Sequence, residues 1–139
     1  MNFLTKEFLE PYTSHLLSIL RIMSGLLILQ FGTAIILGFP SVPMFTSVPT
    51  GSLVWYAGLI ELIFGALLAL GLFTRTVAFI LSGLSAFAFF LGHAIPNGTI
   101  LPIRNGGTAA ALFCFTFLYL AAVGGGIWSA DRMWLTTKD

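Results

Sequence analysis

Residues 53–73 read LVWYAGLIELIFGALLALGLF, a run of twenty-one in which Glu61 is the one charged side chain. As a helix rising about 1.5 Å per residue, such a run crosses the ~30 Å hydrocarbon core of a bilayer. Its apolar residues are continuous rather than alternating and rich in Leu and Ala, which argues against a strand. Inside lipid every backbone polar group needs a partner within its own segment, so helix is the expected form. Residues 74–76 predict a very short turn, and residues 77–95 form a second apolar run whose notable polar side chain is His93. So short a turn forces the two runs into an antiparallel hairpin.

Two further runs flank this hairpin. Residues 16–39 carry Arg21 and Gln30 as their strongly polar side chains. Residues 107–123 carry no charge, and their polar groups are Thr108, Cys114, Thr116 and Tyr119. Pro40, Pro43 and Pro49 punctuate the first connection, Pro96, Asn97, Gly98 and Pro102 the third, and Gly124-Gly125-Gly126 closes the last run. The expectation is a single all-α membrane domain over residues 1–139, an antiparallel bundle of four transmembrane helices.

Composition agrees. Of 139 residues 58% are hydrophobic and 8% charged, against about 25% charged in an ordinary soluble domain. Such a chain cannot cover a water-facing surface, which excludes a soluble enzyme and a disordered linker. A net charge of +1 supplies no basic patch for nucleic acid. One cysteine excludes a disulfide framework and cysteine-built metal clusters. With the N-terminus in the cytoplasm, Lys6, Arg75, Arg132 and Lys138 lie inside and Arg104 alone lies outside. That bias predicts both termini inside, in a multi-pass protein of the inner membrane. The first run is too long for a signal-peptide core, and the segment before it, with Phe3, Phe8 and Leu9 near Lys6, Glu7 and Glu10, suits a short interfacial helix.

Polar groups inside the runs are the candidate functional residues, because a charge near the bilayer centre costs about 2.5–3.5 kcal/mol on insertion scales. Glu61 lies eight residues into its run, about 12 Å below the outer boundary. Ala57, Gly65 and Ala69 share its face, a stripe that admits a neighbouring helix closely. Either Glu61 glues two helices by a hydrogen bond or it is a proton carrier in a site. His93 lies near the outer surface, as an interfacial donor or as a ligand contact. Arg104-Asn105-Gly106-Gly107 opens the fourth run; free N–H groups there suit an anionic group, or Asn105 simply caps the helix. No metal-ligand spacing is present. Arg21 is expected to snorkel to the inner headgroups, and Gln30, on the opposite face, to mark an interface with another subunit. Phe87, Phe89, Phe90, Phe113, Phe115 and Phe117 are core, lipid-facing or cleft-lining.

Together these residues resemble the DoxX family of small four-helix bacterial membrane proteins. The matching pieces run in order along the chain: Arg21-Ile22, Phe31-Gly32, Gly38-Phe39, Glu61 with Gly65, Leu70-Gly71-Leu72-Phe73-Thr74-Arg75, His93, Asn105-Gly106-Gly107, and Trp128-Ser129-Ala130-Asp131-Arg132. Two positions depart from the pattern: Ile35 stands where many relatives have lysine, and Thr108 where many have glutamate. The resemblance implies a place in membrane-associated redox systems, since relatives resemble the small subunit of a thiosulfate:quinone oxidoreductase.

The resulting expectation is a membrane subunit of a quinone-linked oxidoreductase system. A quinone, bound without covalent attachment, would meet Glu61, His93, Arg104, Asn105, Gly106 and Gly107 in the outer half of the bundle. The sequence has no haem-ligand pair, flavin fingerprint or CxxC, so electrons would come from a partner oxidoreductase in the membrane or in solution. The competing readings are a carrier of a small solute or lipid, which with four spans would need to dimerise, and a purely structural assembly subunit.

Overall fold

The computed structural model describes residues 2–137, with side chains placed from residue 6 onward. Lys138, counted in the charge bias, and the Phe3 side chain lie outside the described residues. Helix α1 (Asn2–Leu9) passes through a 3-10 turn, Glu10–Tyr12, into α2 (Thr13–Ile36). A loop with a 3-10 turn at Pro43–Phe45 leads to α3 (Leu53–Leu70). Its first turn is capped by Ser52, whose Oγ accepts the Trp55 N–H at 3.2 Å. Helix α4 (Thr74–Phe87) continues as a π-helix over Ala88–Ala94 and a last turn, α5 (Ile95–Asn97). Then follow α6 (Pro102–Asn105), α7 (Thr108–Val123) and α8 (Ala130–Thr136). No strand occurs among the described residues.

Three stretches are long and apolar enough to cross a membrane: Lys6–Ile36, Leu53–Leu70 and Thr74–Asn97. The fourth apolar helix, Thr108–Val123, is shorter at 16 residues, about 24 Å. Phe79, Phe87 and Phe115 are 63%, 68% and 70% exposed. Large apolar side chains turned outward on every long helix suit a lipid surround rather than water.

Helices α2 and α3 form one antiparallel pair, and α4 and α7 a second. Small residues set the first. A Cβ on Gly25 would stand 2.6 Å from the Ala69 backbone nitrogen, and one on Gly65 3.0 Å from Leu29 Cα. Gly32 lies equally hard against the backbone of Glu61 and Leu62. These backbones touch because no side chain separates them. In the second pair Ser82 Oγ donates to the Cys114 carbonyl at 2.8 Å. Ile28, Leu68, Val77, Ala78, Leu81, Phe117 and Leu120 form the buried core between the pairs. Phe113 stacks on Phe117, ring centres 5.3 Å apart.

The turn between α3 and α4 sits three residues earlier than expected. Gly71 (φ 77°) and Phe73 (φ 50°) take the left-handed conformation, and helix resumes at Thr74. The reason is a cap from the tail. Asp131 accepts the N–H groups of Phe73 and Thr74 at 2.7 and 2.8 Å, so Thr74 and Arg75 enter the helix instead of the turn.

Candidate functional site

The chain folds its polar groups into two knots at opposite ends of the bundle, with Glu61 between them. At one end the π-helix presents His93 to α6. Its Nδ1 lies 3.2 Å from the Asn105 carbonyl oxygen. Asn97 Nδ2 donates to the His93 carbonyl at 2.8 Å. Asn105 is buried; its Nδ2 donates to the Thr99 carbonyl at 2.9 Å, and its Oδ1 accepts the Gly107 N–H at 2.7 Å. Asn105 thus closes the turn before α7 rather than occupying the cap position, which Gly107 holds. Gly107 must be small, since a Cβ there would stand 2.8 Å from both Asn105 Oδ1 and Phe89 Cδ2. The structure therefore brings His93, Asn105, Gly106 and Gly107 together. Arg104 is exposed at the same end.

Glu61 stands on the other helix pair, its backbone against Gly32 of α2. Its Oε2 is buried and has no hydrogen-bond partner. Counted from the α3–α4 turn, Glu61 is about level with Ser82 and Cys114, and His93 lies eleven residues beyond Ser82, about 15 Å further along the bundle. No hydrogen bond joins Glu61 to the His93 knot among the described residues. Its neighbours on α3, Ile60 and Phe64, pack on the apolar core together with Phe31 and Phe113. Its Oε2 is thus an unpartnered buried oxygen part-way along the bundle, between the two knots.

The other end corrects the expectation for Arg21. It does not snorkel: it is 0% exposed. Its Nε donates to the Gly125 carbonyl at 2.8 Å, one terminal nitrogen to Leu68 and Ala69 at 2.8 and 2.6 Å, and the other to Trp128 at 2.7 Å. Leu68 and Ala69 belong to the last turn of α3, whose carbonyls lack partners within the helix and carry the negative end of its dipole. A guanidinium with its fixed fork answers several such carbonyls at once. Ser18, one turn earlier on α2, accepts the Trp128 N–H at 3.0 Å. Arg75 performs the same service for α7, donating to the carbonyls of Ala121, Ala122 and Val123. Asp131 caps α4 and is the counter-charge felt by Arg21. Sequence reasoning missed this knot, although Arg21 shares a face with Gly25, Ile28 and Gly32, the face that packs on α3.

The residues in this knot, Arg21, Gly71, Phe73, Thr74, Arg75, Ser129 and Asp131, are those of the Arg21-Ile22, turn and tail motifs. The DoxX family model matches residues 16–94, which take in Arg21, Glu61, the turn and His93. The chain belongs to the DoxX family. It is also similar to an uncharacterized protein of Haemophilus influenzae, 39% identical over 126 residues that cover 89% of this chain and 94% of the relative. No solved structure matches. In this DoxX chain the most distinctive motif residues cap helix ends and lock the tail onto the bundle. Among the described residues, Glu61 Oε2, Thr74 Oγ1 and His15 Nδ1 are buried polar atoms that this capping leaves without a hydrogen-bond partner.

Proposed function

We propose that this DoxX protein is a membrane subunit of a quinone-linked redox system, crossing the cytoplasmic membrane four times with both termini inside. Helix α7 is the fourth span in this reading, lying antiparallel along α4. Lys6, Arg75 and Arg132 at one end against Arg104 at the other support the orientation.

The observation that carries the reading is the buried, unpartnered Oε2 of Glu61. A buried carboxyl oxygen without a partner is costly, and it fits a ligand oxygen better than it fits packing alone. A bound quinone would supply two-electron, two-proton chemistry there. Glu61 would hold or deliver a proton at Oε2. Phe31, Phe64 and Phe113 would keep water from the ring. His93, fixed by Asn105, and the exposed Arg104 with Gly106 and Gly107 would frame the outer mouth. Electrons would come from a partner oxidoreductase. Exposed Gln30 on the outward face of α2 supports contact with a second subunit.

Extraction of the intact protein in polymer discs, followed by mass spectrometry of bound small molecules, tests this. Expected is a quinone enriched over the bulk membrane in the wild type and not in Glu61→Ala. Solute flux into proteoliposomes without an enriched quinone would favour the carrier reading instead.

A further inference from the structure

A cleft of about 660 Å³ opens at the arginine end of the bundle, over the start of α4 and the Gly124–Gly126 segment. Thr74 lines it, is 2% exposed, and keeps its Oγ1 without a hydrogen-bond partner. Helix-terminal threonines ordinarily satisfy this hydroxyl. Gly125 and Ser129 close over the same oxygen: a Cβ on Gly125 would stand 2.9 Å from it and 2.8 Å from Ser129 Cβ, so the hydroxyl is packed beneath them at the floor of the cleft. Arg75 and Arg132 also line the cleft and are exposed. The one carboxylate among the lining residues is Asp131, and both its oxygens already accept backbone N–H groups. Two arginines face one carboxylate; Arg75 is partly taken up by the α7 carbonyls and Arg132 has no part in that cap, so the net positive charge leaves the cleft favourable to an anion. The walls include Leu17 and Leu135, so the anion should be attached to something apolar.

From this combination we propose that the cleft binds the phosphate of an anionic phospholipid headgroup. The site lies where the long apolar helices end, the level at which headgroup phosphates meet a membrane protein. Basic pockets between transmembrane helices take such headgroups. The phosphate sits between Arg75 and Arg132, above Gly125, and the acyl chains run past the rim at Leu17. Both arginines suit a phosphate, and Arg132 holds it without a part in capping α7. This site is separate from the Glu61 region and does not depend on the redox reading.

The test uses the full-length protein in mixed micelles, with thermal unfolding and native mass spectrometry as readouts. Phosphatidylglycerol, phosphatidylcholine and inorganic phosphate alone are the three probes. Expected is retention of phosphatidylglycerol over phosphatidylcholine in the wild type, with Arg132→Gln reducing that preference about five-fold at an unchanged lipid-free unfolding midpoint. Equal retention of both lipids by the wild type, or an undiminished preference in Arg132→Gln, would overturn the proposal. Stabilisation by inorganic phosphate equal to that by phosphatidylglycerol would also overturn it, by making the ligand free phosphate.

Discussion

Asp131 Oδ2 accepts the N–H of Thr74 at 2.8 Å across 57 residues of chain. The start of α4 is therefore capped by the tail that follows α7. Because Oδ1 takes the Phe73 N–H as well, one carboxylate ties the α3–α4 turn to the end of the protein. Asp131→Ala should lower stability by about 2 kcal/mol and Asp131→Asn by about 1, in line with helix caps elsewhere. Equilibrium unfolding in mixed micelles measures this, and wild-type stability in Asp131→Ala would show that the cap contributes nothing.

Arg21 should be more demanding still. Removing its guanidinium takes the donor from the carbonyls of Ala69 and Trp128 and leaves those of Leu68 and Gly125 with the Gly71 N–H and the Ser18 hydroxyl alone. Arg21→Ala is expected to cost about 3–5 kcal/mol, as for other broken buried charge networks. Arg21→Lys should recover only part of it, because an ammonium lacks the planar fork. Full recovery by lysine would mean that charge alone matters at this position.

Two glycines should behave oppositely. A Cβ on Gly32 would collide with the backbone of Glu61 and Leu62, so Gly32→Val should separate α2 from α3 and prevent folding. A Cβ on Gly83 meets nothing within 4 Å, so Gly83→Ala should stabilise the protein by about 0.5–1 kcal/mol through helix propensity. Fluorescence-detected gel filtration and thermal midpoints separate these outcomes, and a well-folded Gly32→Val protein would contradict the close α2–α3 packing.

Much of the architecture was legible because lipid leaves the backbone few options. The apolar runs and their polar interruptions mark α2, α3, α4 and α7 to within a few residues. Arg21 was misjudged because depth along one helix was weighed above its face, although Gly25 and Gly32 on that face already implied a protein neighbour. The caps by Asp131 and Arg75 join residues distant in sequence, and no local pattern announces them. The π-helix that turns His93 toward Asn105 has no local signature either; it depends on how residues 88–94 pack against the start of α7. Glu61 stood out from sequence because a carboxyl in an apolar run is costly wherever the helix lies. Its missing hydrogen-bond partner became visible only in three dimensions.

Orientation can be read directly in intact cells after replacing the native Cys114 by serine. Cysteines placed at Ser47 and at Asn97, both exposed, should react with a membrane-impermeant maleimide added outside. A cysteine at Thr136 in α8 should react only after lysis. Outside labelling of Thr136→Cys would reverse the proposed topology.

The central proposal is that Glu61 meets a quinone, and equilibrium binding of a short-chain quinone to the full-length protein in nanodiscs tests it most directly. Expected is saturable one-site binding by the wild type, weakened about ten-fold in Glu61→Ala as a hydrogen bond to a buried carboxyl is lost, with an unchanged unfolding midpoint. Absence of saturable binding, or wild-type affinity in a folded Glu61→Ala protein, would contradict it.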